Sequence, residues 1–229
     1  MEKNKKIIII IVVVTLVLLS TFIYLLNNKK FNYSKLLENQ NYDIVYNKEN
    51  TGNDKVPYVN LTGDSIKKIN QEIASLYEYY LIFSPDGFDY NYSVSDSILS
   101  IIITAHIIQP ESDNYNILYK SYNIELKKLK LLTDDEILKR FKITNKDMEY
   151  YLYNKYLNMY YDLIDKKYFT EEQYSFKSFL ENKNLNNLLE DNNYYINNNH
   201  LELYKYFNNI SEYGEEKFFD EKSFHFIVT

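Results

Sequence analysis

Three histidines are the side chains of this sequence best suited to metal or acid–base chemistry. They are His106, His200 and His225, and each falls on a different predicted strand. No two of them have the short spacing of metal ligands, and an isolated histidine on a strand is more often a hydrogen-bonded structural residue. They would act together only in a polar cleft that also gathers carboxylates. The sequence therefore predicts no metal site, no cofactor and no catalytic residue.

Other patterns that carry chemistry are missing as well. The acidic run Asp134, Asp135, Glu136 follows Thr133 in the order of a helix-capping box, which accounts for its carboxylates without catalysis. Four glycines supply no phosphate-binding loop, and no Gly-x-Ser-x-Gly elbow occurs. The lack of cysteine excludes disulfides, thiol catalysis, cysteine-bound zinc and a lipid-modified N-terminal cysteine. We expect a non-enzymatic protein.

The composition narrows the kinds of partner. The net charge is −6, and the first six residues carry +2, so the remainder carries about −8. This mild acidity argues against nucleic acid and permits a basic protein partner. The 26 tyrosines and 13 phenylalanines accompany many Lys, Asn and Ile residues, as in a low-GC bacterial genome. Because tyrosine is frequent in every segment, the sequence marks no single aromatic site.

The most distinctive stretch is the uncharged apolar run over residues 7–26. At ~1.5 Å per residue it forms a helix of ~30 Å, the thickness of a bilayer core. It is too long for a signal-peptide core and lacks an Ala-x-Ala cleavage site, so we predict an uncleaved, single-pass signal anchor. The expected layout is a cytoplasmic tail at 1–6, the span at 7–26, a stalk at 27–54 and an extracytoplasmic domain at 55–229, with a sub-boundary near 130–145.

Lysine counts do not decide the orientation of the span, because three flank it on each side. They are Lys3, Lys5 and Lys6 before it and Lys29, Lys30 and Lys35 after it. Long C-terminal domains translocate largely regardless of charge, so we predict an inside N-terminus and an outside domain in the cell membrane. The reverse orientation, with a cytosolic domain, stays open as the alternative.

Apolar periodicity predicts an α+β fold, an antiparallel sheet of sequential strands with helices packed on one face. The predicted strands cover 56–61, 88–94, 98–108, 115–126, 194–196, 200–207 and 224–228. Four helices are predicted. The first follows the turn at 62–64, and the second covers 134–141. The third runs from Thr144 or Asn145 to about 164, and the fourth follows a capping box at 170–173 and ends at about 189.

These segments resemble, in order, the extracytoplasmic domain of the lysozyme-sensing anti-sigma-V factors of low-GC Gram-positive bacteria, a domain that also precedes a peptidoglycan deacetylase. The resemblance spans roughly residues 41–229. It rests on Val56–Leu61 leading to Ile66–Ile73, on Ile98–Ile102, and on Tyr122–Leu126 leading to Leu131–Leu138. It implies a surface domain that binds a protein or cell-wall ligand.

The chain also departs from that family. Lys127–Lys130 stands where the family has a Thr-Gly-Lys turn, and Ile210–Gly214 lacks the usual Pro-containing segment. Met1–Lys6 is too short to hold a sigma factor, and the metal-binding catalytic part of the deacetylase is missing.

Our leading hypothesis is therefore a membrane-anchored, extracytoplasmic binding or sensing domain of the cell envelope. Its partner would be a cell-wall glycan, recognised by a row of exposed tyrosines, or a basic lysozyme-like protein, recognised by an acidic or apolar patch. The alternatives are an assembly subunit of an envelope complex, suggested by leftover apolar positions on the helix from Lys146 to Ile164, and a wall-modifying enzyme.

Overall fold

The computed structural model describes residues 14–17, 31–49, 51–83, 87–108, 115–167, 169–182, 189, 191–206 and 223–228. The chain divides into two compact units, Met1–Asn32 and Tyr33–Thr229. Within the first unit, residues 14–17 are helical, and the rest of the predicted span and the tail at 1–6 lie outside the described residues. No helix in the described part of the chain is long and apolar enough to cross a bilayer.

The second unit begins with a short hairpin and a long helix. A 3-10 turn, Ser34–Leu36, precedes strands β1 (Val45–Asn47) and β2 (Pro57–Val59), which pair antiparallel, and helix α1 (Asp64–Phe83) follows. The apolar stripe of α1 is buried, including Ile66, Ile69, Ile73 and Tyr80. Residues 33–49, which the sequence assigned to a stalk, thus belong to the folded unit that starts at Tyr33.

A four-stranded antiparallel meander forms the centre of this unit. Its strands lie in the order β3 (Phe88–Ser95), β4 (Ile98–Ile108), β5 (Tyr115–Glu125) and β6 (Lys130–Leu131), which confirms the predicted antiparallel sequence of strands. Asp96 and Ser97 join β3 to β4 with φ of 47° and 65°, the conformation of a tight primed turn. Ile98 to Ile103 are fully buried, so β4 is covered on both faces as its β-branched run predicts.

The rest of the unit forms a second layer. It contains α2 (Asp134–Arg140), α3 (Asn145–Asp165), α4 (Phe176–Asn182) and an antiparallel sheet of β7 (Asn193–Asn197), β8 (His200–Tyr206) and β9 (Ser223–Val228). Residues of α2, α3, α4, β7 and β8 share one core with Ile98 of the central sheet. Its other fully buried members include Leu138, Met148, Leu152, Tyr156, Phe179, Tyr194 and Leu203.

A row of polar side chains joins this layer to the central sheet. Ser93, Ser100 and Asn123 are neighbours across β3, β4 and β5. The Ser100 hydroxyl accepts from the Ile196 amide of β7 at 2.9 Å, and the Asn123 amide donates to the Tyr194 carbonyl at 2.7 Å. Ser93 donates to the Ile196 carbonyl. Strand β7 therefore satisfies its outer backbone groups with side chains.

Two expectations change in the structure. The α+β class is confirmed, but layers cover both faces of the central sheet: Tyr80 of α1 packs on Phe88 at 5.3 Å, and β7 binds the face that carries Ser100. The predicted capping box at 170–173 forms, since each backbone amide of Thr170 and Gln173 donates to the side chain of the other residue. The residues that follow it form a turn and not the start of the predicted helix. Helix α4 starts at Phe176, and residues 183–188 lie outside the described residues.

Candidate functional site: a row of tyrosines on the first hairpin

The three histidines occupy separate places in the fold. His106 lies in β4, His200 begins β8, and His225 lies in β9, where it pairs with Tyr204 of β8. Tyr204 lies four positions after His200 in β8, which is ~13 Å along a strand. In the part of the chain that the structure describes, no group of His, Asp or Glu side chains is arranged to hold a metal.

The acidic run at the start of α2 is a capping box, as predicted. Thr133 accepts from the Glu136 amide, and the Glu136 carboxylate accepts from the Thr133 amide at 3.0 Å. Lys130 donates to the same carboxylate at 2.6 Å, and this bond, followed by that from Thr133, lowers the pKa of Glu136. These contacts account for the run through helix capping.

A row of tyrosine rings covers the outer face of the β1–β2 hairpin. Tyr46 and Tyr58 are cross-strand partners with ring centroids 5.1 Å apart, and Tyr42 stacks on Tyr46 at 4.4 Å with 26° between the ring planes. Tyr42 keeps 41% of its surface exposed. We call these three side chains the tyrosine row. Tyr42 is exposed, whereas Tyr46 and Tyr58 are half-buried, so Tyr42 is the most accessible ring of the row.

Two features determine the position of the tyrosine row: the alternation of side chains along β1 and β2, and the buried side-chain amide of Asn60. In β1 and β2, Val45 and Val59 point into the core, so Tyr46 and Tyr58 point outward. Asn60 is 1% exposed and donates to the carbonyls of Asn39, Tyr42 and Asp43 at 2.7, 3.2 and 3.0 Å. This amide fixes the loop before β1 and thereby holds Tyr42 against Tyr46.

One carboxylate borders the tyrosine row, and a second follows Tyr42 directly in the chain. Glu38 accepts from the Tyr58 hydroxyl at 3.2 Å, and Asp43 accepts from the Tyr92 hydroxyl at 2.8 Å. Burial raises the pKa of Tyr58, and the charge of Glu38 raises it further. A carboxylate has about four lone-pair positions, so each accepts further hydrogen bonds from a ligand. Burial and the neighbouring carboxylate also raise the pKa of Tyr92, so Tyr58 and Tyr92 act as hydrogen-bond donors to these carboxylates.

This arrangement suits binding better than catalysis. The row offers a rigid aromatic surface together with hydroxyl donors and carboxylate acceptors, the groups that contact a polyhydroxylated ligand. Sequence reasoning missed the row because its members come from a loop and two strands. The available signal was the placement of Tyr46 and Tyr58 beside inward valines in two short extended segments, but their pairing depends on the hairpin register.

Neither the sequence nor the structure identifies a family by comparison. No family model, no curated protein and no solved structure matches this chain.

Proposed function

We propose that the chain is a non-enzymatic binding domain of a bacterial cell envelope, anchored by residues 7–26 with its N-terminus inside and its folded unit outside. The apolar run supports the anchor, since twenty uncharged residues have the length of a spanning helix. The single observation that carries the binding role is the tyrosine row with the Glu38 carboxylate at its Tyr58 hydroxyl.

The proposed ligand is a cell-wall glycan. The C–H face of a sugar ring packs on the outer face of Tyr42, while its hydroxyls reach Glu38, Asp43 and the tyrosine hydroxyls. Each carboxylate accepts one phenol hydrogen bond and has lone pairs left that can accept from the hydroxyls of a sugar. A basic protein is the competing occupant of the same surface.

Binding of the full chain in detergent to soluble, purified wall glycan fragments tests this proposal. Replacing Tyr42 or Tyr58 with Ala is expected to weaken binding by about tenfold, because tyrosines in contact with a ligand carry much of its binding energy. Tyr79→Ala is the matched control, since Tyr79 is 54% exposed on α1 and lies outside the row. Equal affinities for all three variants would overturn the assignment, as would a basic protein binding in place of the glycan.

The proposed orientation in the membrane is tested by a separate experiment. An epitope placed after Thr229 in intact cells stripped of wall should be digested by added protease. Protection that persists until the cells are lysed would put the domain in the cytosol and contradict the envelope role.

A further inference from the structure

The outer face of α3 is more aromatic than an exposed helix face ordinarily is. Tyr150, Tyr153 and Tyr161 are 72%, 43% and 47% exposed, while the opposite face of the helix is buried in the core. Leu157 and Ile164, both half-buried, lie in line with them at three- and four-residue steps. We call these five residues the α3 stripe.

The spacing of the α3 stripe is symmetric about Leu157. Its other members lie four and seven residues before Leu157 and four and seven residues after it. In an antiparallel pair of identical helices with the twofold axis at Leu157, each apolar position therefore faces an apolar position of the other copy. Tyr150 faces Ile164, Tyr153 faces Tyr161, and Leu157 faces itself.

The charges at the two ends of the stripe agree with this orientation. Lys146 continues the line of the stripe at its amino end, and Asp165 ends the helix at the other. Antiparallel pairing brings Lys146 close to Asp165 of the second copy, whereas parallel pairing would bring Lys146 close to another Lys146. Asp147, also at the amino end, has its carboxylate turned to the Thr144 amide and hydroxyl, at 2.9 and 2.6 Å.

The exposed area sets the strength of the pair. At ~200 Å² for a whole tyrosine, the exposed fractions of the three tyrosines amount to roughly 300 Å² per copy, the size of a patch that marks an interaction site. Two copies together bury roughly 600 Å² of ring surface, which is below the ~1,000 Å² of a stable specific interface and in the range of a weak one. A contact of this size gives a weak dimer that forms where copies are concentrated.

We propose that the α3 stripe is an antiparallel, twofold-symmetric contact between two copies of this chain. The inference stands apart from the tyrosine row, which lies on the β1–β2 hairpin, and from the identity of the ligand.

The chain has no cysteine, so single introduced thiols report the contact without background. We expect Leu157→Cys in the full chain, treated in detergent with a short bis-maleimide, to give a covalent species of about twice 27.6 kDa. Tyr150→Cys alone should not cross-link, whereas Tyr150→Cys mixed with Ile164→Cys should. Ser75→Cys, exposed on α1, is the control for random collisions within one micelle.

Three results would overturn the proposal. They are cross-linking at Leu157→Cys no greater than at Ser75→Cys, cross-linking of Tyr150→Cys with itself, and a product containing a different protein. As a second measurement on the same chain, Leu157→Glu should raise the dimer dissociation constant at least about tenfold, because it places two like charges on the twofold axis. An unchanged dissociation constant would contradict the contact.

Discussion

Strands β2 and β7 are both sheet edges whose outer backbone groups bond to side chains, yet the two are closed in different ways. At β2 a single helical side chain does this: Asn70 of α1 accepts from the Val59 amide at 2.9 Å and donates to the Val59 carbonyl at 3.0 Å. At β7 the outer backbone groups bond instead to Ser100 and Asn123, which belong to the polar row of the central sheet. Asn70 is half-buried, whereas Ser100 is 0% and Asn123 3% exposed.

The difference shows how burial sets the cost of losing the same kind of bond. Asn70 is half-buried, so we expect water to take the place of a lost partner there more readily than at β7. At the β7 site a lost partner leaves a buried backbone group unsatisfied, which costs more than the bond itself contributes. We therefore expect β7 to depend on its side chains more strongly than β2.

The largest effect is expected for Asn123→Asp. The new carboxylate would meet the Tyr194 carbonyl instead of donating to it, and a charge would be buried there with the hydrogen bond from the Ser100 hydroxyl in place of a counter-charge. We expect a loss of about 3 kcal/mol or more in the free energy of unfolding, measured by urea denaturation at pH 7. Asn158→Asp, the same change at an exposed position of α3, should cost little. A loss as small as that of the control would show that β7 is not held by this amide.

Ser100→Ala comes next. It removes the acceptor of the Ile196 amide and a donor to Asn123, so we expect a loss of about 2 kcal/mol. Hydrogen exchange at the Ile196 amide should accelerate by more than the loss in the global free energy of unfolding explains. Ser75→Ala on the exposed face of α1 serves as the control. Unchanged protection of the Ile196 amide would refute the role assigned to Ser100.

Asn70→Ala should cost less, about 1 kcal/mol, because water can take over at a half-buried site. The amide of Val59 should exchange faster, and the amide of Ile196 should not. Gln71→Ala, its exposed neighbour on α1, is the comparison variant. If Asn70→Ala costs as much as Ser100→Ala, then burial is not what distinguishes the two edges.

The smallest effect concerns the link between β2 and β3. Buried Asp54 accepts from the Phe88 amide at 3.0 Å and the Tyr77 hydroxyl at 3.1 Å. Burial, followed by the bond to Asp54, raises the pKa of Tyr77 to about 12.

A raised pKa stabilises the fold while the phenol is protonated, so this contribution is full below about pH 10 and is lost as pH rises toward 12. Stability measured across this range should therefore fall less in Tyr77→Phe than in the parent chain. A parallel fall in both proteins would show that Tyr77 contributes nothing to the alkaline loss.

Much of the central sheet was predictable from the sequence because each strand carries its own signal. The run from Ile98 to Ile108 is nearly continuous in apolar residues and rich in β-branched ones, and β4 has these bounds in the structure. The box at Thr133 to Glu136 starts α2 as expected. These features depend on residues close together in the chain, so local reasoning was sufficient.

The side-chain bonds to the outer edges of β2 and β7, and the tyrosine row, were not predictable in the same way. Each joins residues far apart in sequence, such as Asn123 with Tyr194 or Tyr46 with Tyr58. The sequence did contain a signal for the bonds at the two strand edges, because Asn70 lies on the apolar stripe of α1 and Ser100 interrupts an apolar run. A polar residue in such a place needs a buried partner, but the sequence does not say which one.

The polar row at β7 also bears on how this domain can change over generations. Ser93, Ser100 and Asn123 bind backbone atoms of β7, and every residue except proline offers the same amide and carbonyl. As far as these bonds are concerned, substitutions at Tyr194 or Ile196 leave the connection intact. On the central sheet the three polar residues have no such freedom, so in related sequences variation should concentrate on the β7 side.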